Sequence, residues 1–275
     1  MIVDVLSGIW QSAQVQEFLH LDPLSHLARV GSGATVGFVL GLVGGGGSIL
    51  AVPLMVYAIG VRDPHVAIGT SALAVAVNAL VNLRSHSRAD NVKWRCGGMY
   101  ASAGVAGALI GSSLGKAFNG QKLLFLFALV MIAVGVLMLR GRGNPGDPGV
   151  ECTIEKAPRV LGYGLATGLF SGFFGIGGGF LIVPGLVGST GMPIIKAIGT
   201  SLVAVAAFGF TTAINYTLSG FVDWPLAMTF LFGGALGGAL GARAGKALSS
   251  DNDRLTTIFA NLIFAVAGYM IARTT

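Results

Sequence analysis

Gly44-Gly45-Gly46-Gly47-Ser48-Ile49-Leu50-Ala51-Val52-Pro53 opens an apolar segment with four consecutive glycines, and the arrangement returns as Gly175-Ile176-Gly177-Gly178-Gly179-Phe180-Leu181-Ile182-Val183-Pro184. Each cluster is followed by 11 apolar or small residues, Ile49 to Ile59 and Phe180 to Thr190. As helix, that is about 16 Å, roughly half the ~30 Å hydrocarbon thickness of a bilayer. Glycine runs are poor helix interiors because they lose the most backbone entropy on ordering. The pattern predicts a helix that descends, breaks at glycine and returns as a half-helix, with Pro53 and Pro184 as hinge or kink points.

The rest of the chain supplies the membrane. Of 275 residues 53% are hydrophobic and 10% charged, with a mean hydropathy of +0.79. A soluble domain carries about 25% charge, so a soluble globular enzyme and a disordered chain are both excluded. Apolar stretches near 20 residues recur, whereas a transmembrane barrel would show alternating segments of about 10. The fold class is therefore all-α, a polytopic transmembrane helical bundle. The net charge of +6 fits basic cytoplasmic loops, with the lipid bilayer and not nucleic acid as partner. Residues 1–25 read as an N-terminal interfacial segment without the features of a cleaved signal peptide.

Self-comparison extends the doubling to the whole chain. Ile68-Gly69-Thr70-Ser71 returns as Ile198-Gly199-Thr200-Ser201, Trp94 as Trp224, and Gly115-Lys116-Ala117 as Gly245-Lys246-Ala247, all at a shift of 130. Upstream the shift is 131, pairing Gly37 with Gly168, Gly41 with Gly172 and Pro53 with Pro184. The organisation predicted is transmembrane repeat 1 over 26–140, a cytoplasmic linker over 141–158 and transmembrane repeat 2 over 159–275. Each repeat holds a glycine-broken hairpin with its half-helix, followed by three spanning helices. If the hairpins reverse the chain, twelve of the 17 basic residues share one face: Arg84, Arg88, Lys93, Arg95, Arg140, Arg142, Lys156, Arg159, Lys196, Arg243, Lys246 and Arg254. That imbalance makes the face cytoplasmic and the two repeats inverted.

Broken backbone is tolerated in a bilayer only against protein or a wet cavity. A half-helix starting after a glycine turn aims free N–H groups and a positive dipole end inward. Two of them from opposite faces form an anion site near the midplane, the anatomy of a secondary transporter. Candidate backbone donors are Gly45, Gly46, Gly47 and Ser48 in repeat 1 and Gly177, Gly178 and Gly179 in repeat 2. Thr70, Ser71, Thr200 and Ser201 offer hydroxyls, and Asn78 and Asn215 offer amides to an acceptor-rich ligand. Interhelical hydrogen bonding is the competing use of the same side chains. Gly107, Gly111 and Gly115, with Gly237, Gly241 and Gly245, follow the small-xxx-small spacing of tight helix packing. Lys196 or Arg62, near helix ends, could steer the substrate.

Other chemistries lack residues. No Asp or Glu falls mid-span, which disfavours a proton or sodium pump. The histidines show no metal-ligand spacing, no Ser/His or Asp/Asp pair supports an intramembrane protease, and no cofactor fingerprint has its required context. Cys96 and Cys152 fall on the face expected to be cytoplasmic, where reduced thiols are the default.

The glycine cluster, proline-bearing half-helix and Pro-x-x-x-Ala-x-Gly-Thr-Ser signature resemble the TauE/SafE (TSUP, sulfite exporter) family of membrane transporters. The copies run from Gly44 to Pro53 with Pro64 to Ser71, and from Gly175 to Pro184 with Pro193 to Ser201, where the last spacing is one residue different. The resemblance implies a non-enzymatic carrier in the plasma or inner membrane for small sulfur-containing anions such as sulfite, thiosulfate, sulfoacetate or other sulfonates. Alternating access is the expected mechanism. Alternatives are an anion channel, a carrier of small carboxylates, and, further off, an intramembrane enzyme or structural subunit.

Overall fold

The computed structural model describes residues 23–140, 147, 149–150, 152–175, 179–248 and 252–274. Most of the expected N-terminal segment, part of the linker, and Gly177 and Gly178 lie outside them. Repeat 1 consists of α1 (Pro23–Val43), a short element α2, α3 (Pro64–Arg88), α4 (Trp94–Ala117) and α5 (Gly120–Arg140). Repeat 2 consists of α6 (Ala157–Phe174), the short α7 (Gly179–Thr190), α8 (Ile194–Thr217), α9 (Trp224–Leu248) and α10 (Asn252–Thr274). The described residues include no strand. The spans Pro64–Arg88, Gly120–Leu137, Ile194–Thr217 and Trp224–Ala244 are long and apolar enough to cross a membrane.

Local chemistry sets the boundaries. Asp63 caps α3 by accepting the His65 N–H at 2.8 Å, and Pro64 occupies the first turn, where its missing N–H costs nothing. Gly175 ends α6 with a φ of 67°, a left-handed cap that suits glycine. The two short elements differ in a way the repeat did not foretell. α7 is α-helical with Pro184 inside it. α2 is a 3₁₀ stretch Gly44–Leu50, a single turn Ala51–Pro53 and a π-helical stretch Leu54–Ala58. Four glycines weaken α-helix in the first part. After Pro53 the ladder widens, with Ile59 N–H donating to Leu54 O at 3.0 Å.

The repeats interlock. α1 runs parallel to α9, with Gly33, Gly37 and Gly41 against Phe230, Gly234 and Gly238. α4 runs parallel to α6 in the same manner: Gly107, Gly111 and Gly115 meet Leu165, Leu169 and Phe173. These are backbone-to-backbone approaches, since a Cβ on Gly37 would lie 2.0 Å from Gly234 O and one on Gly111 2.0 Å from Leu169 O. Lipid tails are as apolar as leucine, so such close packing supplies the attraction that hydrophobic burial cannot. The expected packing role of Gly107, Gly111 and Gly115, and of Gly237 and Gly241, agrees with these contacts; the surroundings of Gly245 are outside the described side chains. At the centre α3 and α8 cross antiparallel, with Gly209 on Ala72 and Ala76. Opposite the α1 seam, Met228, Phe232, Leu236 and Leu240 form an exposed stripe on α9, the face a bilayer would cover.

One expectation is corrected. Cys96 and Cys152 are joined in a disulfide, not held as separate thiols. The linker folds back beneath the start of α4, so residues 56 apart in sequence come within 5.4 Å at Cα. Spacing alone carried no sign of that return.

Candidate functional site

The 3₁₀ stretch of α2, which holds Gly45, Gly46, Gly47 and Ser48, packs against α7 and α8. The two interrupted segments are therefore neighbours in the interior. Gly47 lies against the α1 backbone, where a Cβ would be 2.1 Å from Leu40 N, and Ser48 is fully buried. Gly179 begins α7 and is buried. A Cβ on Gly175 would collide with Ile68, so the turn before α7 rests on the Ile-Gly-Thr-Ser motif of repeat 1.

That motif has a role which sequence reasoning assigned differently. Thr70 Oγ1 accepts the N–H of Asp223 at 2.9 Å, and Thr200 Oγ1 accepts the N–H of Lys93 at 2.9 Å. Thr70 thus anchors the loop entering α9, and Thr200 the loop entering α4. The preceding glycine makes room, since a Cβ on Gly69 would sit 2.1 Å from Phe221 O and one on Gly199 2.3 Å from Asn91 O. Ser71 and Ser201 donate to Ile68 O and Ile198 O at 3.0 and 2.7 Å, inside their own helices. All four hydroxyl residues are fully buried. Gly-Thr-Ser is a reciprocal clamp between repeats, and its threonine oxygens are already engaged.

Asn78 is different. It is 1% exposed, and neither its Nδ2 nor its Oδ1 has a partner among the described residues. Thr212 Oγ1 and Ser171 Oγ are likewise buried and unpaired. Buried polar groups left unpaired cost about 1–3 kcal/mol each, which makes these three positions candidates for pairing with a water or a ligand. The internal repeat also sharpens the asymmetry. Asn78 lies against Gly234, whereas its counterpart Phe208 lies against Gly104, the counterpart of Gly234, and stacks on Tyr100 at 6.4 Å.

Asn215 belongs to another group. Its Oδ1 accepts from Lys116 Nζ at 2.8 Å and its Nδ2 donates to Ser112 and Ser113 at 2.6 and 3.0 Å. Lys116 also donates to Asn215 O and to Ser219 Oγ. Among the described residues this ammonium donates only to neutral acceptors, and no carboxylate pairs with it near the ends of α4 and α8. Sequence reasoning passed over Lys116, although the repeated Gly-Lys-Ala was the available signal. Lys196, by contrast, donates to Asp90 O and lies 3.6 Å from the Asp90 carboxylate, which offsets its charge. Arg62 is exposed at the far side of the loop after α2.

A helical bundle with several candidate spans, a lipid-ready exterior and unpaired polar groups at its centre is a multi-pass membrane protein. The family model described as "Sulfite exporter TauE/SafE" matches residues 30–270, and the chain belongs to that family of membrane transporters. It is 48% identical over 250 residues to a "Probable membrane transporter protein" of Xylella fastidiosa (strain Temecula1), covering 90% of this chain and 96% of that one. It is 27% identical over 248 residues to "Probable membrane transporter protein YunE" of Bacillus subtilis (strain 168), covering 82% and 91%. No solved structure matches the chain.

Proposed function

We propose that this chain is a secondary transporter of small sulfur-containing anions, sulfite, thiosulfate, sulfoacetate or other sulfonates, working in the cell membrane by alternating access. The observation that carries the reading is the packing of α2 against α7 and α8, together with the buried, unpaired amide of Asn78 on α3. The substrate oxygens accept from backbone N–H groups at the glycine-preceded starts, Gly45 to Ser48 and Gly177 to Gly179, and from Asn78 Nδ2. No catalytic group is required. The antiparallel crossing of α3 and α8, which occupy the same position in their repeats, supports inversion of the two halves, and the site then opens alternately to each side. Lys116 raises the local anion concentration at one mouth.

Two measurements test this. Purified protein is screened by thermal unfolding against sulfite, thiosulfate, sulfoacetate and small carboxylates. A bound anion at 100 times its Kd stabilises by about 2.7 kcal/mol. Proteoliposome flux of the best ligand then distinguishes a carrier, which saturates and is stimulated by counter-substrate, from a channel, which is not. Normal flux in both Gly46→Leu and Gly178→Leu would remove the backbone-amide site, and preferential stabilisation by carboxylates would replace the substrate class.

A further inference from the structure

Outside the centre, α1, α2 and α10 leave a groove of about 320 Å³ open at the surface, walled by Thr35, Leu50, Leu54, Tyr57, Val266 and Tyr269. Thr35 spends its hydroxyl on Gly31 O of its own helix at 2.9 Å, so the wall is hydrocarbon up to the two tyrosines. The rim is of another character. The Tyr57 and Tyr269 rings meet edge to face at 5.4 Å, and Arg273 Nε donates to the Tyr269 hydroxyl at 3.2 Å, its guanidinium 5.6 Å from that ring. Arg62, four residues beyond the groove residue Ala58, is exposed, as is Arg273. No carboxylate pairs with either arginine among the described residues.

An apolar trough ending in tyrosines and unpaired cations matches an amphipathic anion in shape and charge. We propose that the groove seats an acyl chain of an anionic phospholipid, whose phosphate is held at the rim by Arg273 and Arg62. A second copy of the chain fits less well, because a two-fold contact would bring the same arginines together. The wall includes Leu54, Tyr57 and Ala58 of the π-helical stretch, so the lipid braces the part of the short element with the poorest hydrogen-bond ladder.

The test uses delipidated protein in detergent, titrated with phosphatidylglycerol or phosphatidylcholine and followed by thermal unfolding and native mass spectrometry. Phosphatidylglycerol is expected to bind at one molecule per chain, about fivefold more tightly per arginine than phosphatidylcholine. Arg273→Gln should shrink that preference by the same factor. Val266→Trp, or Ala58→Leu if the first fails to fold, should fill the trough and abolish retention of both lipids. Equal binding of the two lipids, full retention after filling, or equal stabilisation by glycerol phosphate alone would overturn the proposal. So would a dimer that filling turns into a monomer.

Discussion

Replacing Thr70 by valine separates two uses of one hydroxyl. Valine keeps the shape and removes the acceptor, leaving the Asp223 N–H without the 2.9 Å bond that Thr70 Oγ1 provides. A stranded polar group costs about 1–3 kcal/mol, and the half-buried position of Asp223 places this case near 1 kcal/mol. For a chain of this size each kcal/mol lowers Tm by about 2–4 °C. Thr200→Val should cost a similar amount through Lys93, whose helix start has no side-chain cap of its own. The two bonds lie at opposite ends of α3, so the double variant should lose the sum of the two effects. Scanning fluorimetry in detergent reads the loss, and Thr→Ser at either position should restore most of it. In each valine variant the shift produced by saturating anion should stay at its wild-type size. If unliganded Tm is unchanged while the anion-induced shift disappears, the hydroxyls serve substrate and the clamp argument fails.

Other perturbations probe other parts. Asn78→Leu should hold or raise Tm, because an unpaired buried amide is replaced by a hydrocarbon of similar size, while flux in proteoliposomes falls at least tenfold; retained flux would remove Asn78 from the site. Gly37→Ala should abolish accumulation of folded protein, since its Cβ would lie 2.0 Å from Gly234 O, whereas Gly31→Ala in the same helix, with open space, should be neutral by fluorescence-detected chromatography. The charge imbalance in the sequence led to the expectation that the face carrying the Cys96–Cys152 disulfide is cytoplasmic, a compartment where disulfides are rare. Acid-quenched cells alkylated with a heavy maleimide should show neither thiol free, and two free thiols would refute the bond in the cell. A bond already complete in quenched cells would place that face outside.

Much of the fold was legible because hydrophobic run length and glycine spacing are local. The short segment expected over Phe180 to Thr190 coincides with α7, Gly179–Thr190, and the repeated tryptophans Trp94 and Trp224 open α4 and α9. The unequal make-up of α2 and α7 was not legible, since one proline sits in each and only the surrounding glycine count and packing differ. For the proposed site, the glycine starts and Asn78 could be singled out as candidates because unusual residues in apolar spans stand out. Thr70 and Thr200 could be picked but not interpreted: their partners are 153 and 107 residues distant, and a buried hydroxyl reads the same whether it faces a ligand or a loop. The same distance problem hid the Cys96–Cys152 pairing and the capture of Asn215 by Lys116.

The seams between α1 and α9 and between α4 and α6 bear on biogenesis. Gly33 meets Phe230, so α1 must wait for almost 200 residues of synthesis before its mate exists. At about 5–20 residues per second that is roughly 10–40 s with a glycine-lined flank open to lipid or to any assembly factor willing to guard it. Neither half can mature alone, because each is born holding one side of the other's zipper.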